Sequence, residues 1–378
     1  MATNHDVLII GGGLAGLASA IHLSKQGLSV IVIEKSGYPR HKVCGEYISN
    51  EILPYLEWLD VDVSTLNPTQ LHRLEFSTTT RRAITAQLPL GGFGISRFTL
   101  DNFLYLKALA NGCMFIEDTV NDVFIQDDMF RVQTKNDMYM SKIVLGAFGK
   151  RSNIDQQLAR SFIGTKSPWL AVKAHYSGNF PNDLVALHNF SGGYCGVSKV
   201  EDNKINICYL ADYATFKQYK NIEDYQHEVL YKNKCLETIF ENSTIMFDKP
   251  LTIGQICFDK KLSVEKHILM MGDSAGLIHP LCGNGMAMAI HSAKIASELV
   301  LCYYSGQITR EVLEKQYALH WNRLFNKRLF TGRMLGKVLQ NKSLTNQLME
   351  AAVNFPVIVS KIVKHTHGKP IKTAAKWE

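Results

Sequence analysis

VLIIGGGLAGLASAIHLSKQGLSVIVIE, residues 7–34, is the stretch that decides the fold. Val7–Ile10 is a short apolar run rich in β-branched residues, as a strand buried on both faces should be. Glycines follow at Gly11, Gly13 and Gly16. Gly11 allows a tight turn, Gly13 lets the backbone approach a pyrophosphate, and Gly16 lets the next helix pack close to the strand. Leu17, Ala20, Ile21 and Leu23 recur at helical spacing, Gly27 ends that helix, and Leu28–Ile33 reads as a second strand. Glu34 closes the unit about 20 residues beyond the glycines, where a carboxylate can accept bonds from the ribose hydroxyls of an adenosine. An acid there favours an unphosphorylated ribose, as in FAD or NAD. A ligand-free glycine turn is the alternative, and strand, helix, strand and acid in register count against it.

Two later segments supply further pieces of one dinucleotide site. Lys142–Gly146 reads as a buried strand that stops at GAFGKRSN, Gly146–Asn153. His267–Met271 reads as the last strand of the nucleotide domain, inside a stretch that continues as MMGDSAGLIHPLCGNGMAMA, Met270–Ala289. An Asp at a strand end before a glycine-rich turn, here Gly272-Asp273, can bond ribityl or ribose hydroxyls, or can cap a helix. Pro280, Gly283, Asn284 and Gly285 lead into a weakly charged helix from Met286 to Leu301. Its free amides and positive end suit the negative charge that builds on a reduced flavin.

Together the three motifs resemble the FAD-dependent hydroxylases similar to p-hydroxybenzoate hydroxylase. PRHKVCGE, Pro39–Glu46, and ISRFTLDNFLYLKA, Ile95–Ala108, resemble more specifically the geranylgeranyl reductase branch of that superfamily. The resemblance implies an α/β fold with a Rossmann-like FAD-binding domain (a parallel sheet plus a β-ribbon), an inserted antiparallel β substrate domain and a helical C-terminal region. It also implies a Cys-Gly pair beside the flavin ring, matching Cys44-Gly45, and an Arg before a helix with an Asp a few residues on, matching Arg97 and Asp101. Many of the hydroxylases carry Asp-Gly where this chain has Phe148-Gly149, and that departure weakens the inference that NADPH or NADH binds directly as electron donor.

The expected cofactor-binding residues are Gly11, Gly13, Leu14, Ala15, Gly16, Glu34, Lys35, Arg40, Arg97, Val120, Gly149, Gly272, Asp273, Pro280, Gly283, Asn284, Gly285 and Met286. Arg40, Lys42 and Arg97 are candidates to neutralise the pyrophosphate, or form a solvated basic loop. Cys44, Gly45 and Glu46 are the candidate catalytic group. Cys44 can tune the flavin or donate a proton, or be a small buried thiol. Glu46 can act as an acid or bond the substrate, or be a helix-start charge. Lys173, His175, His188 and Tyr194 fall on strands of unknown register, so surface or core positions are expected for each.

The chain of 378 residues is 46% apolar and divides into an FAD-binding domain (1–48, 95–153 and 252–304), a substrate domain (49–94 and 154–251) and a C-terminal region (305–378). Strands are expected near 71–77, 83–88, 170–176, 185–190, 194–200 and 205–210, a β-ribbon near 118–134, and helices near 100–111 and 222–239. Eight cysteines show no CxxC pair and no regular spacing, so neither a metal site nor a disulfide framework is expected, and a reducing cytoplasm fits. The apolar N-terminus lacks a basic leader and contains the nucleotide motif, and no apolar run approaches the ~20 residues that span a bilayer.

The net charge of +7 is uneven. Residues 310–378 hold 13 Lys and Arg against 4 Asp and Glu, a net +9 that leaves −2 for the rest. Apolar residues lie between those charges, from Trp321 to Leu339 and over Phe355–Val363. The pattern fits a helical cover on the nucleotide domain, with peripheral membrane contact as the second reading. Nucleic-acid binding is not expected, since no binding motif accompanies the charge. The oligomeric state is open. The expected activity is FAD-dependent hydroxylation of a hydrophobic aromatic or lipid-like small molecule, with ene-reduction of isoprenoid double bonds as the alternative, and a non-enzymatic flavin binder third.

Overall fold

The computed structural model describes residues 4–79, 82–354 and 357–372. Seventeen strands are defined in chain order: β1 Asn4–Ile10, β2 Val30–Glu34, β3 Tyr47–Ser49, β4 Thr69–Ser77, β5 Ala83–Gly94, β6 Met114–Glu117, β7 Val120–Gln126, β8 Met129–Thr134, β9 Met138–Gly146, β10 Trp169–Gly178, β11 Leu184–Phe190, β12 Gly193–Lys199, β13 Ile205–Asp212, β14 Ser243–Ile245, β15 Leu251–Ile253, β16 Val264–Glu265 and β17 Ile268–Met270. The α-helices are α1 Leu14–Lys25, α2 Leu53–Trp58, α3 Arg97–Ala110, α4 Asn153–Gln157, α5 Tyr213–Phe216, α6 Ile222–Glu228, α7 Lys234–Glu241, α8 Gly285–Tyr304, α9 Arg310–Gln340, α10 Lys342–Asn354 and α11 Val357–Thr366.

The strands form two sheets. The first runs β16-β17-β9-β1-β2-β6, with a ribbon of β7 and β8 attached through β9. Its β17, β9, β1, β2 and β6 are mutually parallel, and β1 and β2 are buried along their apolar runs. Burial on both faces explains why these strands read as continuous apolar runs rather than alternating ones. The second sheet runs β14-β10-β13-β12-β11-β4-β5-β3, with β15 on β10. It is antiparallel except where β11 meets β4.

The boundaries drawn from the sequence shift in three places. Tyr47–Ser49 and Leu251–Ile253 pair into the second sheet, through β5 and β10 respectively. Residues 154–165 stay with the nucleotide domain, because Ile154 and Leu158 enter its core and Arg160 pairs with Asp155 and Glu265. The helix expected over 222–239 is broken into α6 and α7. Asn233 opens the second piece: its side chain accepts from Cys235 N at 3.0 Å as the N-cap of α7.

Helix α8 is long and apolar enough to cross a membrane by length and composition, but 61% of its most apolar stretch is buried inside the protein. It packs between α1 and α9. Leu313, Tyr317, Trp321, Phe325 and Leu329 form the inner face of α9 and join the nucleotide-domain core, so this part of the basic tail is a cover. Phe355 and Pro356, at the start of the apolar run 355–363, lie outside the described residues.

Candidate active site

Strand β1 ends at Gly11, whose left-handed backbone (φ 102°) turns the chain at a point where a side chain would strike the Ala147 carbonyl. Gly16 faces back onto Gly11, and a Cβ there would collide with the Gly11 carbonyl oxygen. These two glycines therefore set the packing of α1 against β1. Gly13 differs, since no atom lies within 4 Å of the place its Cβ would occupy. The space beyond Gly13 opens into a cavity of about 890 Å³. Helix α1 begins there with no side-chain cap and no acid in its first turn. Its free amides and open glycine make a cradle for a pyrophosphate.

Every expected cofactor residue except Gly16 lines this cavity. Glu34, at the end of β2, accepts from Gly12 N at 2.8 Å. Arg40 pairs with Glu34 at 2.8 Å, so it stands at the ribose end of the site rather than where a pyrophosphate would lie. Arg97 is held in a two-bond pair with Asp101, at 2.6 and 2.8 Å, which fixes its guanidinium at the cavity wall. Lys42 reaches the same carboxylate at 2.7 Å. Burial opposes the charge on Asp101, but the two cations outweigh that and hold its carboxyl below the usual range. Two cations on one carboxylate leave a net positive charge at the cavity wall.

At the far end of the cradle, β17 leads into Gly272-Asp273. Burial raises the Asp273 carboxyl, against the opposing charges of Lys261 and Lys150. Burial also lowers Lys150, which lines the cavity, to about 8. Gly283 takes the left-handed conformation (φ 60°) and turns the chain into α8. That helix likewise starts with no side-chain cap and no acid in its first turn. The Asn284 side chain is directed away from a cofactor role: its Oδ1 accepts from Arg328 Nη1 at 2.9 Å and its Nδ2 lies 3.3 Å from Glu51 Oε1. Its backbone amide is what remains to meet a ligand.

The comparisons with known proteins agree with this geometry. Residues 6–42 match a family described as an FAD binding domain. Conditioned medium factor receptor 1 of Dictyostelium discoideum is 24% identical over 99% of this chain and 76% of its own. A digeranylgeranylglycerophospholipid reductase of Methanosarcina acetivorans is 26% identical over 84% of this chain and 80% of its own. Ubiquinone hydroxylase UbiM of Neisseria meningitidis is 23% identical over 97% of this chain and 86% of its own. The chain is an FAD-dependent oxidoreductase. Two solved structures share the flavoenzyme's fold. A geranylgeranyl bacteriochlorophyll reductase-like protein of Thermoplasma acidophilum has a TM-score of 0.75 at 17% identity, covering 96% of this chain and 100% of that one. Halogenase PltM, in complex with phloroglucinol and FAD, has a TM-score of 0.77 at 14% identity, covering 96% and 85%.

Of the flavoenzyme's three candidate catalytic residues, Cys44 and Gly45 line the cavity opposite the α8 turn. Cys44 Sγ lies 3.6 Å from Met286 Sδ. Burial pushes the Cys44 thiol up, so it is a neutral S–H. Glu46 reaches the cavity wall, but its carboxylate is turned into a buried cluster. It accepts from Lys173 Nζ at 2.8 Å and from Arg97 N at 2.8 Å, and meets His175 Nε2 at 2.7 Å. Burial works against its charge, yet the bonds and charges of His175 and Lys173 outweigh that and hold it below the usual range. A carboxylate so engaged ties the start of β3 to β10 and to the first amide of α3, which matches the helix-start reading of Glu46.

The register of the second sheet settles the four strand residues. Lys173, opposite Cys208, and His175, opposite Asn206, stand on the cavity face and bury against Glu46. Tyr194 lines the cavity, whereas His188 lies on the other face.

Two groups were missed. Tyr47 and His367 line the cavity together, with Tyr47 Oη 3.4 Å from His367 Nε2. Burial lowers His367 to about 4, which makes it a neutral imidazole. It arrives on the segment after α11, which is latched to Glu51 through Gly368 N and, at 2.8 Å, Ile371 N. Glu51 also pairs with Arg328 at 3.1 Å. One buried carboxylate thus ties the C-terminal segment, α9 and, through Asn284, the turn before α8. In the sequence His367 is one histidine among the basic residues of the tail, with nothing to bring it to the site.

Proposed function

We propose that this flavoenzyme hydroxylates a hydrophobic molecule with a hydroxyl-bearing aromatic head and an apolar chain. The observation that carries this reading is a polar pair in an apolar wall. Beyond the flavin cradle the cavity is lined by Leu74, Phe76 and Val185 from the second sheet, and by Leu335, Ile362 and Val363 from the C-terminal helices. In that wall Tyr47 Oη makes only long contacts, 3.5 Å to Gly91 O and 3.4 Å to His367. Such distances are at the edge of a hydrogen bond and leave the hydroxyl able to take a better partner. A phenolic hydroxyl could donate to neutral His367 and accept from Tyr47, while its alkyl chain follows the apolar wall.

FAD, when bound, supplies two-electron redox chemistry and, once reduced, reactivity toward oxygen. The uncapped amides of α1 and α8 would favour its negative charge. The apolar wall would keep water from the reacting atoms. The overall reaction places one oxygen atom on the substrate and one in water, with two electrons from a reduced nicotinamide. Phe148 stands where many hydroxylases carry an Asp. Eight free cysteines support a cytoplasmic setting. Leu319, Phe330 and Met334, exposed on α9 between basic residues, support a transient approach to a membrane surface as the source of a greasy substrate.

The second reading, reduction of an isoprenoid double bond, is favoured by Cys44. A neutral thiol on the cavity wall can give the proton that must accompany a hydride. The two readings separate in one experiment. The holoprotein is reduced without oxygen and then given a long-chain alkylphenol with labelled oxygen, or a geranylgeranyl lipid with none. Label in the phenol product is the expected result. Saturation of the prenyl chain without oxygen, with the phenol untouched, would overturn the hydroxylase reading.

Three substitutions refine the test. Tyr47→Phe and His367→Gln should each raise KM for the phenol about 3- to 10-fold, as loss of one hydrogen bond predicts, with retained FAD unchanged. Cys44→Ala should keep FAD and alter turnover. A loss of 100-fold or more, on the order of general-acid catalysis, would point to the reductase.

A further inference from the structure

The face of the second sheet turned away from the flavin carries donors that the redox site does not use. Glu75 on β4, His188 on β11 and Cys235 in the first turn of α7 bring one ligand-type atom each within 4.8 Å of one another. Strands β4 and β11 pair with Glu75 opposite Ala186 and Ser77 opposite His188, which puts Glu75 and His188 on one face, one step apart. The start of α7 is fixed over that face by Asn233. Its side chain caps Cys235 N, and its Nδ2 donates to Ser77 Oγ and to Asn189 O, both at 3.0 Å.

His188 is the second, independent sign. It is 1% exposed, and its Nε2 has no hydrogen-bond partner. Its Nδ1 lies 2.7 Å from Ser77 Oγ, whose own proton can go to Asn233 Oδ1 at 3.4 Å. With the ring proton on Nδ1 and donated to Ser77 Oγ, the Nε2 lone pair is unpaired. Buried polar atoms without a partner are rare, and each calls for an explanation. A histidine whose outer nitrogen is fixed by a hydrogen bond and whose inner nitrogen is free is arranged as metal-binding histidines are.

We propose that Glu75, His188 and Cys235 bind one divalent cation of the zinc class, with solvent as the fourth ligand. Imidazole, thiolate and carboxylate are the donors such a cation takes, and three protein ligands with one open position is a known stoichiometry for it. In a tetrahedral site the donor atoms stand about 3.5 Å apart, given metal–ligand lengths of about 2.0–2.3 Å. Glu75 and Cys235 are only partly buried, and binding requires their side chains to rotate inward to close the difference. A cation there would pin α7 to β4 and β11.

The probe is Co²⁺, then Zn²⁺, added to the full-length, FAD-loaded protein after treatment with a chelator. Difference spectra against the same holoprotein remove the flavin bands. One Co²⁺ per chain with a thiolate charge-transfer band, displaced by Zn²⁺, is the expected result. Cys235→Ser should abolish the band while flavin content stays unchanged, which shows that the variant is folded. Ser77→Ala should weaken binding by about 10- to 100-fold, as loss of a supporting bond predicts. Failure to take up one ion per chain, or a band that survives Cys235→Ser, would overturn the site.

Discussion

Glu46→Ala should cost this protein about 3–5 kcal/mol of folding stability, the range found when one partner of a buried ion pair is removed. Glu46 is fully buried, and so is Lys173. Without the carboxylate, the Lys173 ammonium would be left in the interior beside His175 and the first amide of α3. Denaturant unfolding at neutral pH measures the effect. A loss below about 1 kcal/mol would show that water or a rearranged partner reaches Lys173, and would remove Glu46 as the anchor of β3 on β10 and α3. Replacing both residues, Glu46→Leu with Lys173→Met, should recover much of the loss, because no unpaired charge then remains.

The same pair sets an acid limit. Glu46 is held below its ordinary value of 4.5. A depressed carboxyl contributes stability above its unfolded value and loses it as pH falls through the folded one. The protein should therefore weaken below about pH 4.5 through this group, and Glu46→Gln should flatten that part of the profile.

Gly13→Val should abolish FAD retention without unfolding the protein, and Gly16→Val should do the opposite in order of cause. The Gly13 position is open toward the cavity, so a side chain there meets no protein atom but takes the space of the pyrophosphate. Flavin affinity should fall by at least tenfold, about 1.4 kcal/mol or more, with an apoprotein of native circular dichroism. At Gly16 the new side chain meets the Gly11 carbonyl, so the helix must move off the strand and the nucleotide domain itself should fail. Flavin retained by Gly13→Val would move the cradle elsewhere in the cavity. Stable, flavin-loaded Gly16→Val would contradict the packing role of that glycine.

Much of the site could be read along the chain because its parts are local. A strand, a glycine turn, a helix and an acid within residues 7–34 form one unit, and each piece is written in periodicity or in a residue that its backbone requires. Asp273 and the turn before α8 follow the same logic. The pairing of the charged side chains is not local. Arg40, Arg97 and Glu46 all line the cavity. Which of them is free depends on whether Glu34, Asp101 or Lys173 already holds it, and those partners come from other segments.

By itself the sequence determined the FAD-binding unit, the order of its three motifs and the two-sheet plan, since these rest on short-range spacing and on burial patterns within single elements. Tertiary structure decided what the side chains do. A strand alternates faces with period two, so one residue of register separates Tyr194, on the flavin cavity, from a face like that of His188, which turns toward α7. The C-terminal segment carries no mark of its destination until Glu51 latches it and brings His367 to Tyr47. Spacing along the chain records only what a residue's neighbours in sequence can feel, and those contacts are made between residues hundreds of positions apart.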